Sequence, residues 1–522
     1  MSGSSDYQLQ TIAGRLPGCI VIVGNTESAW MTAACLQRQL QVLHCRITVV
    51  GNGTPQAEFP GEESLPALKA LIGNLGFDEH EMMRHCGATY RLATQYSDWV
   101  QLERDFWLPV TVPAARSPIQ SLFEVWFRER KAGRLLRPFH SYALHWGAAI
   151  AGKAPCGFSR PSPISESGTY SFHLDGTQFA NWLRQIAIAS GVQEIQGEID
   201  KIQPNGRGGI AQLRLASGLA VTGDFFIDCT GPAADLITAT AKSSWQSWSS
   251  HSLCDRLVSV NLATARQVPS FTRITGLESG WSWQSHLSTQ KHCGYAYSSQ
   301  HSSDERAWEK LQESVQPSDT LTEANPILAE LTLGAWSEFW RENVLAIGSS
   351  ACRVDPLSGG GRFLAQLGVE LFLDLFPQRD GSPAHRGYYN ERMLLAATEF
   401  RDFAHLHYLL SRRNDAPFWT ESAQLSPAAE LRTRIDLFDA AGTVGMLPPE
   451  SPGSDAWVSL MAASGKLPAS PSLRAQAVDP AESQQKLRLI LKRNEDALRD
   501  LPLHEELLDW IHVIPAGVQE ST

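Results

Sequence analysis

The chain has 522 residues, 43% of them apolar and 19% charged, which predicts about three domains or one large enzyme. Acidic residues outnumber basic ones by 55 to 44, which argues against a nucleic-acid partner. The nine Cys include no CxxC pair, so neither a disulfide scaffold nor a zinc ribbon is indicated, and we expect no metal. Residues 1–16 lack a secretory signal and no apolar run is long enough for a membrane span. We therefore expect a cytoplasmic protein with no membrane partner.

The first predicted elements form a βαβ unit. Residues 19–24 are an apolar run that ends in glycine, residues 30–40 carry apolar side chains at helical spacing, and residues 47–50 again read as a strand. A strand, a helix and a strand within about thirty residues predict two parallel neighbouring strands.

The middle of the chain continues this alternation, and its end is helical. We predict strands at 192–202, 210–215, 221–228 and 344–348 and helices at 175–191, 363–376, 391–412 and 485–501. The predicted fold class is therefore α/β with a Rossmann-type body. We expect a dinucleotide-binding module interleaved with a substrate-binding sheet at 18–380, a helical covering layer at 381–515, and flexible tails at 1–17 and 516–522.

The turn after the first strand carries an altered dinucleotide fingerprint. A Rossmann-type site uses G-x-G-x-x-G, whose glycines allow a tight turn and close approach of the pyrophosphate. The three glycine positions here hold Gly24, Thr26 and Ala29. Glu27 adds a negative charge where a pyrophosphate would meet the helix N-terminus, and Gly51 stands where a ribose-binding acid is expected. These residues predict the fold together with weakened cofactor contacts.

An ordered set of motifs resembles the flavin-dependent tryptophan halogenases, from about residue 18 to residue 510. The similar segments are 24–34, 60–66 (similar to the family's flavin strap), 77–99, 172–175, 227–231, 280–283, 355–357 and 401–419. The resemblance implies an FAD-monooxygenase/halogenase-like fold. It also implies that reduced FAD and oxygen convert halide to hypohalous acid, which a Lys positions beside the indole with the help of a Glu.

Both chemical residues implied by the resemblance are substituted. The Lys position holds Arg91, whose guanidinium stays protonated and is a poor nucleophile. The Glu position holds Ser358, which carries no charge. We therefore name Arg91 and Ser358 as the altered catalytic positions and expect ordinary halogenation to be lost.

The resemblance also places flavin contacts at positions that have changed. Ser349 replaces the family's Asp, in addition to the changes at Thr26, Ala29 and Gly51. The turn with Asp355, Pro356, Gly360 and Gly361 is retained, and it is either an anion-binding nest or a plain strand-to-helix turn. We expect FAD to bind weakly or not at all.

The candidate substrate residues are Trp281, Trp283 and His286. The two Trp belong to the family's Trp-x-Trp motif, whereas Ser285-His286 replaces its Ile-Pro. We expect the two indoles on opposite faces of a strand, either as walls of a site or as core packing. Core packing is also the plainer explanation for the 16 Trp of the chain.

Three functions stay open on these residues. The favoured one is a non-halogenating relative, a pseudoenzyme that binds an aromatic small molecule or a peptide in a biosynthetic or modification pathway. The second is an FAD-dependent monooxygenase that hydroxylates an indole-like substrate. The third is an atypical FAD-dependent halogenase that uses Arg91. An active enzyme would need a flavin reductase, and the resemblance implies a homodimer.

Overall fold

The computed structural model describes most of the chain. The described residues are 17–59, 63–111, 121–134, 137–158, 160–240, 243–263, 268–315, 326–376, 382–449, 452–477 and 479–513. The predicted tails at 1–17 and 516–522 lie outside them except for Pro17, and so do residues 60–62 of the strap-like segment. The proposed domain boundaries stay predictions.

The strands of the described residues are numbered in chain order. They are β1 Cys19–Val23, β2 Arg46–Gly51, β3 Thr89–Arg91, β4 Ala93–Ser97, β5 Asp105–Pro109, β6 Ser171–His173, β7 Gln193–Gln196, β8 Ile199–Pro204, β9 Ile210–Leu215, β10 Ala220–Thr222, β11 Phe225–Asp228, β12 Trp245–Ser247, β13 Arg256–Ala263, β14 Phe271–Leu277, β15 Gly280–His286, β16 Gln290–Tyr297, β17 Ile327–Glu330, β18 Gly334–Trp336, β19 Trp340–Arg341, β20 Val344–Ala346 and β21 Cys352–Arg353.

The α-helices of the described residues are numbered in the same way. They are α1 Glu27–Leu40, α2 Ala67–Leu75, α3 Glu79–Cys86, α4 Leu122–Lys131, α5 Leu144–Ile150, α6 Pro163–Ser167, α7 Gly176–Ala189, α8 Asp235–Ala239, α9 Asp304–Ser314, α10 Gly360–Asp374, α11 Pro383–Leu409, α12 Pro417–Ser422, α13 Ala429–Ala441, α14 Ser454–Ala463, α15 Leu473–Ala477, α16 Pro480–Asp500 and α17 His504–Val513.

The predicted βαβ unit is the centre of a six-stranded sheet with the order β19-β20-β11-β1-β2-β7. Strand β1 pairs in parallel with both β2 and β11, and only β19 runs antiparallel. The single strand predicted at 192–202 is wrong, because the chain pairs β7 with β2 and then turns at Gly197 to pair β8 with β9. The carboxyl ends of β1, β11 and β20 meet at one edge of this sheet, where ligands bind in doubly wound folds.

A second sheet has seven strands in the order β17-β13-β16-β15-β14-β4-β5. Two parts of the chain supply it, since β4 and β5 precede α7 while β13 to β17 follow it. Strand β4 pairs in parallel with β14, next to the Trp-x-Trp strand β15. The Trp-x-Trp strand therefore lies in the interior of this sheet, with β14 on one side and β16 on the other.

Aromatic side chains fill the space between the second sheet and the C-terminal helices. Trp99, Trp281, Trp419 and Trp457 are all fully buried, and the Nε1 atom of Trp99 donates to the carbonyl oxygen of His407 in α11 at 2.8 Å. The prediction that Trp serves core packing is confirmed for Trp99, Trp419 and Trp457, whereas Trp281 also lines a cavity. No described helix is both long enough and apolar enough to cross a membrane.

Candidate functional site

The turn between β1 and α1 is held by backbone contacts of the protein itself. Gly24 has a φ of +130°, and a Cβ at this position would overlap the carbonyl oxygen of Cys229, so glycine is required with or without a cofactor. Thr26 caps α1, because its Oγ1 accepts from the backbone N–H of Ala29 at 3.3 Å and donates to Cys229 at 3.2 Å. A Cβ at Gly51 would lie 2.9 Å from the Cβ of Asn25, so this glycine also serves the turn.

A buried ion pair lies beside this turn. The Glu27 carboxylate is fully buried and pairs with the Arg362 guanidinium, whose Nη2 lies 3.1 Å from Oε2. Burial raises the pKa of Glu27, and the cation of Arg362 opposes that rise. Arg362 also donates to the backbone carbonyl of Glu63. The pair therefore ties the start of α1 to the start of α10 and to the strap-like segment.

The N-terminus of α1 is occupied by the carboxylate of Glu58, which lies on the loop after β2 (residues 52–59, called the β2 loop below). Its Oε2 accepts from the backbone N–H of Ser28 at 3.0 Å. Its Oε1 accepts from the backbone N–H and the Oγ of Ser349, at 2.6 and 2.7 Å. The predicted cofactor residue Ser349 is thus brought to the α1 turn, and an internal anion takes its donors.

A central cavity of about 180 Å³ opens beside Glu58, between the parallel sheet and the second sheet. Its walls include both Trp of the Trp-x-Trp motif, the aromatic ring of Phe59 and the glycine-rich turn. The lining residues are Glu58, Phe59, Glu63, Pro232, Ile274, Trp281, Trp283, Ala329, Glu330, Leu331, Thr332, Leu333, Ser349, Cys352, Arg353, Val354, Pro356, Gly359, Gly360, Gly361 and Arg362. Of the predicted residues, the cavity brings together the two Trp, Ser349, Pro356, Gly360 and Gly361.

The two indoles of the motif lie on the same face of β15. Their ring centroids are 5.5 Å apart, so the expectation of opposite faces is wrong, because residues two apart in a strand share a face. The Trp283 ring lies over Gly294 of β16, where a Cβ would overlap it. The Nε1 of Trp281 donates to the hydroxyl of Tyr408 at 2.9 Å, which fixes the orientation of this wall.

Asp355 anchors the glycine-rich turn to the C-terminal helices rather than lining the cavity. Its carboxylate accepts from the backbone N–H of Leu357 at 3.0 Å and from the hydroxyls of Ser252 and Tyr408 at 2.8 and 2.9 Å. Burial raises the pKa of Asp355, and these hydrogen bonds lower it. Tyr408 therefore links the turn to Trp281. Ser358 ends the short 3-10 turn that begins at Pro356.

The guanidinium of Arg91 is committed to protein acceptors. Its Nη2 lies 3.0 Å from Oε2 of Glu63 and 2.7 Å from Oγ1 of Thr94. Its Nε donates to Thr272 at 3.2 Å, and its Nη1 donates to Ser171 at 3.3 Å. The side chain is 11% exposed. Arg91 does not line the cavity itself and is separated from it by Glu63.

His173 shares the hydroxyl of Thr272 with Arg91, and His286 contacts Thr89, two residues before Arg91. Burial, followed by the charge of Arg91, holds the pKa of the fully buried His173 well below its usual range. The Nε2 of His173 hydrogen-bonds Thr272 at 2.8 Å. The carbonyl of His286 accepts from Thr89 at 2.6 Å, at the end of β15 and away from the cavity lining. The structure therefore does not bring His286 to the two Trp as a cavity residue.

In this conformation, the start of α1 is bonded to the protein's own acid and the cavity is small for a flavin dinucleotide. The backbone donors of Ser28 and Ser349 that face the start of α1 are both bonded to Glu58. The cavity of about 180 Å³ is smaller than the roughly 300–1,000 Å³ typical of pockets for larger ligands. A dinucleotide would have to displace Glu58 and enlarge the cavity before it could bind.

Sequence reasoning missed Glu58, Phe59, Glu63, Arg362 and Tyr408. The sequence did contain one signal for the ion pair. Glu27 lies in the dinucleotide fingerprint and Arg362 follows the glycine-rich turn, so two opposite charges stand in motifs that are expected to meet at the cofactor. Glu58 and Phe59 precede the strap-like segment and carry no motif of their own. Their positions depend on how the β2 loop folds back onto α1.

Comparison with known proteins gives a consistent result. A sequence profile described as tryptophan halogenase matches residues 19–480. Tryptophan 6-halogenase SttH of Streptomyces toxytricini is 26% identical over 94% of this chain and 98% of its own length. Tryptophan 7-halogenase RebH of Lentzea aerocolonigenes is 27% identical over 84% of this chain and 83% of its own.

A solved structure agrees over nearly the whole chain. Xcc4156, a flavin-dependent halogenase from Xanthomonas campestris, superposes with a TM-score of 0.90 at 28% identity and covers 97% of this chain and 100% of its own. The predicted resemblance and the predicted α/β fold with a helical C-terminal region are confirmed.

Proposed function

The chain belongs to the tryptophan halogenase family, and we propose that it is a member that binds a small aromatic group without halogenating it. Such a protein would act as a binding or partner protein in a biosynthetic or modification pathway. The observation that carries this proposal is the bonding of Arg91, which stands at the position of the family's Lys.

The contacts of Arg91 support a structural role for its charge. Its charge is paired with Glu63, and its Nε, Nη1 and Nη2 all have acceptors among the described residues. A guanidinium that stays protonated cannot act as an amine nucleophile. Turning it toward an oxidant would leave the Glu63 carboxylate, which is 13% exposed, without its partner, which is unfavourable at a buried position. We therefore assign Arg91 to the ion pair with Glu63 rather than to a catalytic role.

The central cavity supports the choice of ligand. Trp281, Trp283 and Phe59 line it, and aromatic walls favour stacked or edge-on aromatic guests. A dry cavity of roughly 150 Å³ in another protein is large enough for benzene, so a cavity of about 180 Å³ suits one small ring system. An indole, free or as the side chain of a peptide, is a guest of this class.

The test of non-halogenation is a complete reaction mixture. Purified protein is incubated with FAD, a flavin reductase, NADH, oxygen, chloride or bromide, and tryptophan or a Trp-containing peptide, with a tryptophan halogenase as the parallel control. Mass spectrometry should find no halogenated product from this chain. A halide-dependent product that disappears in Arg91→Ala would overturn the proposal. A product heavier by one oxygen atom, independent of halide, would instead indicate the monooxygenase alternative.

The test of aromatic binding is calorimetric titration with indole. Trp281→Leu should weaken binding at least ten-fold, because the substitution removes a stacking wall. Trp510→Leu is the matched control, since Trp510 is 37% exposed and lies in α17 outside the cavity lining. Equal affinity of the wild type and Trp281→Leu would place the ligand elsewhere.

A further inference from the structure

The carboxylate of Glu58, on the β2 loop, is hydrogen-bonded to the start of α1. Glu58 makes three hydrogen bonds to donors from two distant parts of the chain, Ser28 at the first turn of α1 and Ser349 after β20. Backbone N–H groups at a helix N-terminus attract anions, because they lack intrahelical acceptors and carry the positive end of the helix dipole.

A second observation points to an anion with more acceptor oxygens than a carboxylate at this position. The Oγ of Ser28 is fully buried and has no hydrogen-bond partner among the described residues. It borders the same point as Oε1 of Glu58, because a Cβ built on Gly348 would touch both atoms. A buried hydroxyl without a partner is uncommon. The larger set of acceptor oxygens on a phosphate group would satisfy it together with the donors that Glu58 now uses.

The same loop also closes the cavity. Phe59 follows Glu58, and a Cβ on Gly361 would lie only 2.6 Å from its Cδ1 atom, so the ring packs directly on the glycine-rich turn. The Arg362 guanidinium lies 5.8 Å from the centre of the Phe59 ring. Release of Glu58 from α1 would free Phe59 from the turn and enlarge the cavity.

We propose that Glu58 is an internal competitor for phosphate-bearing ligands at the N-terminus of α1, and that its displacement opens the central cavity. The competing group is the diphosphate of a dinucleotide, which replaces the carboxylate on Ser28 and Ser349 and reaches the Oγ of Ser28. The competition affects ligand affinity at the end of the cavity nearest the α1 turn, whether or not the chain halogenates.

The experiment compares three probes on three proteins. FAD, ADP and riboflavin are titrated into the wild type, Glu58→Ala and Glu309→Gln, with intrinsic fluorescence and calorimetry as readouts. The control residue Glu309 has a side chain that is 59% exposed and lies outside the cavity lining. Glu58→Ala should bind FAD and ADP at least ten-fold more tightly than the wild type and riboflavin no more than about two-fold more tightly, and Glu309→Gln should match the wild type.

Two results would overturn the proposal. Unchanged FAD and ADP affinity in Glu58→Ala would show that the carboxylate does not compete. An equal gain for riboflavin, which has no phosphate, would show that the loop blocks the ring rather than the anion. Because neither result involves halide, both are distinct from a failure of the proposed function.

A measurement on the wild type keeps the test independent of how well the variant folds. Hydrogen exchange of peptides from the β2 loop is followed with increasing inorganic pyrophosphate. Exchange in residues 52–59 should accelerate as Glu58 is displaced, while exchange in the central strand β1 stays constant. Constant exchange in the loop at saturating pyrophosphate would contradict the competition.

Discussion

The two ends of the central cavity use carboxylates of the same stretch of chain in different ways. At the end nearest the α1 turn, called the cofactor end below, Glu58 accepts hydrogen bonds from the uncharged donors of Ser28 and Ser349. At the end nearest Arg91, called the reaction end below, Glu63 lies five residues further along the chain and pairs with the Arg91 guanidinium at 3.0 Å. By our proposal, the first contact exchanges with another anion, whereas the second neutralises a largely buried charge and is costly to break.

Under the proposed function, this difference accounts for a fold that is retained without the reaction. The Rossmann-type turn keeps its helix N-terminus, which is bonded to the protein's own Glu58. At the position that the resemblance assigns to the family's Lys, we infer that the positive charge of Arg91 holds Glu63 of the strap-like segment.

The largest effect is expected at the buried pair beside the cofactor end. Arg362→Met should lower the free energy of unfolding by about 3–5 kcal/mol, because it leaves the Glu27 carboxylate buried without a cation. The loss should shrink at low pH, since burial raises the pKa of Glu27 and the protonated acid needs no partner. Urea denaturation at several pH values measures this.

The matched variants separate a charge effect from a packing effect. Glu27→Leu/Arg362→Met should recover most of the lost stability, because an apolar pair often replaces a buried ion pair at little cost. Arg306→Met breaks the exposed pair with Glu309 and should leave stability nearly unchanged. A double variant as unstable as Arg362→Met would contradict the assignment.

The reaction end should respond less strongly, because Arg91 and Glu63 are slightly exposed. Arg91→Met should cost about 2–3 kcal/mol through the unpaired Glu63 carboxylate and the acceptors left without donors. Glu63→Gln should cost less, and the double variant should be more stable than the sum of the single losses predicts. Strictly additive losses in urea denaturation would show that the two side chains are not coupled.

A pH-dependent contribution is expected at His173, behind Arg91. Its pKa lies well below 6.5 in the folded chain, so the unfolded chain takes up a proton near pH 6.5 and the folded chain does not. The stability tied to its neutral form is complete above pH 6.5 and falls below it, by at most about 1.4 kcal/mol per pH unit, until the pH reaches the folded-state pKa.

His173→Gln tests this contribution by removing the titrating group. Between pH 7 and pH 5, the wild type should lose more stability than the variant, by at most about 2 kcal/mol. Thr272→Val, which removes the hydrogen-bond partner at Nε2 but keeps the imidazole, should retain the wild-type slope. Identical slopes for the wild type and His173→Gln would refute the buried neutral imidazole.

The smallest effect is expected where the turn meets the Trp-x-Trp strand. Tyr408→Phe removes the donor to Asp355 and the acceptor of Trp281, and should cost about 1–2 kcal/mol. It should also shift the fluorescence emission maximum, because Trp281 loses its hydrogen bond. Tyr388→Phe is the control, since Tyr388 is 51% exposed; an equal response of the two variants would argue against the linkage.

The parts of the fold that depend on local patterns could be predicted from the sequence. The strand at 19–24, the helix at 30–40 and the strand at 47–50 correspond to β1, α1 and β2, because apolar periodicity and one glycine determine them locally. The split of 192–202 into β7 and β8 was missed, because the apolar pattern does not show which sheet a strand joins.

The candidate site was harder to predict, because its contacts join distant segments. Glu58 reaches Ser28 across 30 residues and Ser349 across 291 residues, and no local pattern encodes either contact. The substitutions at Arg91 and Ser349 could be recognised from motifs. The acids that bond to these two residues, Glu63 and Glu58, lie on the segment that follows β2, and no sequence pattern indicated the contacts. Sequence therefore identified the altered positions, and the structure identified their new partners.

In our proposal, the protein's own carboxylate occupies the position where a dinucleotide would bind. This is tested most directly by the flavin content of the purified wild-type protein, read from its absorbance near 450 nm and followed by FAD titration. We predict no flavin band and an FAD affinity weaker than micromolar in the wild type. Near-stoichiometric FAD in the purified wild type, or micromolar affinity in titration, would contradict it.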